Sequence, residues 1–207
     1  KSAMGVIVAA PTAGACAALP GSILAAADAR RRTDDEVVRA MLAGGLIGIF
    51  VGGRSTFSAE LAGCQAECGV ASAMAAAALA TLGGGQTEQA VAAASMALQN
   101  SLGMVCDPVA NRVEVPCLGK NIMAASNALA CANMALAGYD PVIPLDEVIE
   151  AADRVGRSLP RELRCTGLGG LCTTATSRAI EAKLAKAKEG HSQNEGEHSS
   201  GRDKRRQ

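Results

Sequence analysis

Three cysteines, Cys64, Cys106 and Cys117, lie in the two most polar-patterned stretches of an alanine-rich chain. Their surroundings read Ala62-Gly-Cys64-Gln-Ala-Glu67-Cys68 and Val105-Cys106-Asp-Pro-Val-Ala-Asn-Arg-Val-Glu-Val-Pro-Cys117. Three thiolates can hold an iron–sulfur cluster and leave one iron without a protein ligand; such an iron is a Lewis acid. Spacing alone does not separate this from the plainer case, because free cysteine is commonly a small buried hydrophobe. Cys68, at i+4 from Cys64, reads as that plainer case. Cys64 has polar neighbours, Gln65 and Glu67, that an inert core position would not need. A closed zinc site would want four ligands, usually in paired short spacings. Here there is a single C-x3-C, and both histidines, His191 and His198, fall in the C-terminal stretch.

Two short loops are candidates for binding a carboxylate through backbone N–H groups: Pro11-Thr12-Ala13-Gly14 and Cys165-Thr-Gly-Leu-Gly-Gly170. Each also reads as an ordinary turn. The basic run Arg202-Asp-Lys-Arg-Arg206 reads as a solvated tail rather than a nucleic-acid contact.

Composition narrows the classes. With 207 residues, 49% hydrophobic and 19% charged, the chain can bury one domain core. There is no Trp, one Tyr and two Phe; alanine and 23 glycines take their place, which demands closely approaching helices. The 20 basic and 20 acidic residues cancel, so no global field favours nucleic acid. No uninterrupted apolar run approaches the roughly 20 residues of a membrane-spanning helix. No secretory signal is visible, and eight widely spaced cysteines do not resemble a disulfide framework; a reducing cytoplasm is expected.

The elements that must position these residues read as helices. A helix, a turn at 11–15 and a second helix from about Gly21 are expected first. Thr33-Asp-Asp-Glu36 is a capping box opening a helix that ends at Gly52-Gly53, with an apolar stripe at 37, 38, 41, 42, 46 and 49. Ser58 to Leu82 reads as one long helix carrying Cys64 and Cys68, stopped by Gly83-Gly84-Gly85. Thr87 to about Leu102 follows, then a proline-marked irregular segment over 103–118. Further helices are expected from about Asn121 to Ala137, Asp146 to Ser158 and Ser177 to about Lys188. The expected organisation is an all-α catalytic domain over residues 1–188, incomplete at its N-terminus, and a disordered polar tail over 189–207.

Several ordered segments together resemble the α chain, or catalytic domain, of the bacterial iron–sulfur L-serine dehydratases. They are Val8-Ala-Ala-Pro-Thr-Ala-Gly14 with Leu19-Pro-Gly21; Ala62-Gly-Cys64-Gln-Ala-Glu67; Met104-Val-Cys106-Asp-Pro-Val109 with Val115-Pro-Cys117; Asn121; and Gly169-Gly-Leu171. The resemblance runs from Met4 to about Ala187. It implies an all-helical domain and a [4Fe–4S] cluster held by Cys64, Cys106 and Cys117. It also implies an open iron that polarises the hydroxyl of L-serine during conversion to pyruvate and ammonia, without pyridoxal phosphate. Thr12, Ala13, Gly14, Lys120 and Asn121 are the implied substrate-side residues.

The same resemblance implies a companion β chain or β domain carrying further active-site residues, the general base among them, and an oligomer. The family's one-chain members cap the cluster at rest with a cysteine near the C-terminus, and none follows Cys172 here. Lys120-Asn121 stands where the family usually has Arg-Asn. Lyases acting on L-cysteine or L-threonine share such motifs. A non-catalytic iron–sulfur subunit would need a fourth protein ligand, with Cys68 and Cys172 as candidates.

Overall fold

The computed structural model describes residues 6–187; the expected tail over 189–207, with His191 and His198, lies outside the described residues. The described chain is all-α. Its helices are α1 (Ser22–Ala29), α2 (Asp34–Gly52), α3 (Ala59–Ala62), α4 (Val70–Leu82), α5 (Thr87–Gln99), α6 (Cys117–Leu136), α7 (Leu145–Ser158) and α8 (175–187). Among the described residues the sole extended pairing is a parallel bridge between Cys106 and Arg164.

α4 is the axis of the bundle. Every residue of Val70–Leu82 except Thr81 is buried, and α2, α5 and α6 pack around it. A helix apolar on all sides belongs in an interior. With the preceding turn it forms a segment, Gln65–Leu82, long and apolar enough to cross a membrane by length and composition; 89% of it is buried inside this bundle. Most of its side chains are alanine, so neighbouring backbones come close. A Cβ on Gly44 of α2 would lie 2.8 Å from the Met74 carbonyl oxygen of α4. Gly44→Ala should therefore destabilise the fold by about 1–3 kcal/mol, since backbone rather than a movable side chain blocks the methyl. Urea denaturation of the variant measures this. A midpoint equal to that of the parent chain would show that α2 is not held so tightly.

Hydrogen bonds lock the helices where apolar area is small. Ser72 Oγ donates to the Ala124 carbonyl (2.8 Å), and Asn127 Nδ2 donates to Ser72 Oγ and the Ala97 carbonyl (both 2.9 Å), joining α4, α5 and α6. The Ser95 hydroxyl donates to the Ile143 carbonyl (2.7 Å), fixing the approach to α7.

Local signals place several boundaries as the sequence predicts. Thr33 and Glu36 form both halves of the capping box, and α2 closes at Gly53. α7 buries Leu145, Val148, Ile149 and Ala152 along one face. Four expectations are corrected. Residues 6–9 are not helical; the chain enters through a short 3-10 turn, Ala13–Ala15, and a π-helical turn, Ala17–Gly21, leading into α1.

The second correction concerns α2, which buries the face of Ala40, Gly44, Ile47, Gly48 and Val51. Val38, Leu42, Leu46 and Ile49 of the expected stripe stay exposed. Third, the expected helix from Ser58 to Leu82 is broken at Gly63, whose φ is +71°. Finally, α6 begins at Cys117 rather than near Asn121.

Candidate functional site

The break at Gly63 sets the geometry around Cys64. Gly63 sits in left-handed φ space, and a Cβ there would meet the Met104 carbonyl and Leu159. This close approach brings the Cys64 segment against the strand-like run ending in Cys106. The Gln65 N–H donates to the Met104 carbonyl (3.1 Å), and the Gly103 N–H donates to Gln65 Oε1 (2.8 Å). A π-helical turn, Gln65–Gly69, follows Cys64 directly; such turns are rare and concentrate at functional positions.

Cys64 and Cys106 are both buried and pack in one cluster, with Cys165 against it. The Cys165 N–H donates to the Cys106 carbonyl (2.8 Å). The Cys64 sulfur and burial together push the Cys106 thiol far above its ordinary range. Cys165 is raised by burial, with Glu60, Glu67 and Cys117 adding to the rise and Cys106 opposing it. Cys117, partly exposed, is the first residue of α6, and it is near enough for its charge to be felt at Cys165. Thus Cys64 and Cys106 come from separate segments and pack in one buried cluster with Cys165 against it, while Cys117 opens the helix that carries Lys120. Among the described residues no three His, Cys, Asp or Glu side chains are grouped so as to hold a metal ion.

A cation accompanies the thiols. Lys120 Nζ donates to Asp107 Oδ1 (2.9 Å) and to the Val105 carbonyl (2.5 Å). Side-chain exposures of 16% and 7% make this a buried pair. Burial works against the ammonium, but Asp107, Cys64 and Cys106 hold the Lys120 pKa above its ordinary value. The other oxygen of Asp107 accepts from the Leu171 N–H at 2.9 Å. Gly170, at φ +60°, lies so close that any Cβ there would strike Asp107. This accounts for the glycines of Gly169-Gly-Leu171: the 169–171 turn wraps the carboxylate that holds the lysine.

The loop over 12–14 lies beside Glu67. The Thr12 hydroxyl donates to Glu67 Oε2, and a Cβ on Gly14 would collide with the same carboxylate. Asn121 is buried and braces this loop from behind. Its Nδ2 donates to the Gly14 carbonyl (2.7 Å), to the Cys117 carbonyl (2.9 Å) and weakly to Cys68 Sγ (3.6 Å). Its Oδ1 accepts from the Ala17 N–H (3.3 Å). The five residues read as substrate-side therefore divide by position. Thr12, Ala13 and Gly14 form the loop facing Glu67, Lys120 stands beside the thiols, and Asn121 ties the loop to α6. Cys68 sits in the core against Asn121, and the Cys172 thiol donates to the Pro108 carbonyl (3.1 Å).

Sequence reading passed over Asp107, which looks like turn chemistry before Pro108, and Cys165, which looks like part of a glycine loop. A carboxylate directly after a candidate ligand was the available signal for the first. Nothing local marks the second. A separate cavity of about 750 Å3, lined by Phe50, Val91, Ala92, Tyr139 and Leu145 among others, contains none of the cysteines.

Comparison with known proteins follows the same residues. A family model described as "Serine dehydratase alpha chain" matches residues 1–172. A protein of Bacillus subtilis named "Probable L-serine dehydratase, alpha chain" is 46% identical over 184 residues, covering 89% of this chain and 61% of the relative. One of the same name from Latilactobacillus sakei is 43% identical over 184 residues, covering 89% and 88%. "L-serine dehydratase 1" of Escherichia coli is 40% identical over 174 residues, covering 83% of this chain and 38% of its own length.

Proposed function

The chain belongs to the serine dehydratase α-chain family, and from that premise we propose that it is the α subunit of a PLP-independent L-serine ammonia-lyase. In this reading Cys64, Cys106 and Cys117 hold a [4Fe–4S] cluster with one iron left open. The observation that carries it is the packing of Cys64 and Cys106 in one buried cluster, with Cys165 against it and the partly buried Lys120, on the helix that Cys117 opens, paired to Asp107. The donor chemistry fits such a group: soft thiols supplied by separate segments.

When bound, the cluster supplies a Lewis acid that polarises the serine C–O bond. The chain's own residues do the rest of what this subunit contributes. Lys120, held by Asp107, places a positive charge beside the thiolates and offsets part of their mutual repulsion. The loop of Thr12, Ala13 and Gly14, braced by Asn121, offers backbone N–H groups for the serine carboxylate. Loss of the α-proton and the hydroxyl gives aminoacrylate, whose imine tautomer hydrolyses to pyruvate and ammonia. Removal of that proton is assigned to a base on a companion β chain or domain, as the family resemblance implies. Eight cysteines outside any disulfide suit a reducing cytoplasm, and the active enzyme is an assembly of at least these two parts.

The chain, purified without oxygen and mixed with a β-type partner, should release pyruvate from L-serine and lose that activity in air. Turnover indifferent to air would count against an exposed iron, and preferential turnover of L-cysteine or L-threonine would reassign the substrate.

A further inference from the structure

The Cys165 thiol has no assignment in the proposed chemistry, yet its position is the most constrained of any cysteine outside the ligand set. Cys106 and Cys165 are locked by two backbone hydrogen bonds of 2.8 Å, from the Cys106 N–H to the Leu163 carbonyl and from the Cys165 N–H to the Cys106 carbonyl. Cys165 has φ +60°. A non-glycine residue in the left-handed region carries strain and is held there by its surroundings. The held conformation packs its side chain against the buried cluster that contains Cys106. The two residues differ in access. Cys106 is 3% exposed; Cys165 is partly exposed and lines a cavity of about 380 Å3 with Pro108, Asn111, Cys172, Ser177 and Glu181.

We propose that Cys165 and Cys106 are a redox pair, closing to a disulfide when a low-molecular-weight disulfide enters this cavity while Cys106 is not ligating metal. Cys165 is the attacking thiol, because it alone of the two is reachable. Its thiolate attacks one sulfur of the small disulfide, that S–S bond breaks, and the first small thiolate leaves with the electron pair and takes up a proton. Cys106 then attacks the Cys165 sulfur of the mixed disulfide and releases the second small thiol. Two protein thiols lose two electrons and two protons, and the small disulfide gains them. The pair fits this better than Cys64 with Cys106, where both partners are buried. It also fits better than Cys165 with Cys172, since the Cys172 thiol is committed to the Pro108 carbonyl.

The disulfide follows from the geometry alone. Its consequence, that oxidation blocks cluster insertion by withdrawing Cys106, rests on the proposed function. The full chain, stripped of iron by a chelator and treated with oxidised glutathione, is alkylated and mapped without reduction. We expect two of its eight thiols to disappear, a mass decrease of about 2 Da, and a cross-linked peptide pair containing Cys106 and Cys165. Cys165→Ser should lose the cross-link, leave Cys106 open to alkylation after denaturation, and keep full iron and sulfide content on reconstitution. A cross-link from Cys64 to Cys106 or from Cys165 to Cys172 overturns the proposal. So does a glutathione adduct that persists on Cys165, or a Cys165→Ser chain that no longer retains iron. If the Cys106–Cys165 disulfide forms and the oxidised chain still takes up iron and sulfide, the pair stands and the ligand role of Cys106 fails.

Discussion

Cys64→Ala, Cys106→Ala and Cys117→Ala, each made alone, should abolish retention of iron and acid-labile sulfide, while Cys68→Ala and Cys131→Ala retain both. The contrast separates ligands from core cysteines. Cys68 and Cys131 are buried as deeply as Cys64, so burial alone would predict similar losses of stability for all of them. Replacing a buried cysteine by alanine removes one sulfur's worth of packing, an effect on the order of 1 kcal/mol that leaves the helices formed. Loss of one of three thiolates removes a whole metal–ligand bond and exposes a second iron, so the effect on iron content is complete rather than graded. Iron and sulfide assays on anaerobically reconstituted chains, with helical content checked by circular dichroism, decide the matter. If Cys165→Ala emptied the site as fully as Cys64→Ala, the ligand set would be four and the open iron would be lost with it.

Asp107→Ala should be the most destabilising single change in the site, at about 3–5 kcal/mol, the range found when one partner of a buried ion pair is removed. The substitution strands the Lys120 ammonium, which is only 16% exposed, and leaves the Leu171 N–H without its acceptor. The paired replacement Asp107→Ala with Lys120→Met should cost less than Asp107→Ala alone, because no charge then remains buried. The pH dependence has a definite sign. The folded-state pKa of Lys120 lies above its ordinary 10.5. The stability it contributes is therefore fully present below that value and is lost as pH rises through the folded-state value. Urea denaturation at neutral and strongly alkaline pH should show the parent chain converging toward Lys120→Met. An Asp107→Ala loss no larger than about 0.5 kcal/mol, the size of an ordinary surface change, would mean that solvent replaces the carboxylate.

The exposed face of α2 shows where reading the sequence falls short. Val38, Leu42, Leu46 and Ile49 have the helical spacing of a core stripe, yet α2 turns Ala40, Gly44 and Gly48 inward. The reason is that α4 is mostly alanine, and where the two helices approach most closely, at Gly44 and Gly48, a Cβ would strike Met74. Hydrophobicity predicts that a helix packs, and the partner's shape decides which face does.

What the sequence determined by itself was local. Thr33 to Glu36 carries its own helix start, Gly83-Gly84-Gly85 its own stop, and α7 its own buried face, because caps, glycines and periodicity act over a few neighbours. The family was also legible, through the ordered motifs around Cys64, Cys106 and Cys117. Tertiary structure alone decided the break at Gly63, where the chain passes so near Met104 that a Cβ would strike its carbonyl. It alone brought Asp107 to Lys120, Glu67 to Thr12, and Cys165 to Cys106. Each of these pairs joins segments with no shared local signal. They meet because a close-packed alanine bundle leaves one arrangement in which the loops between its helices can lie.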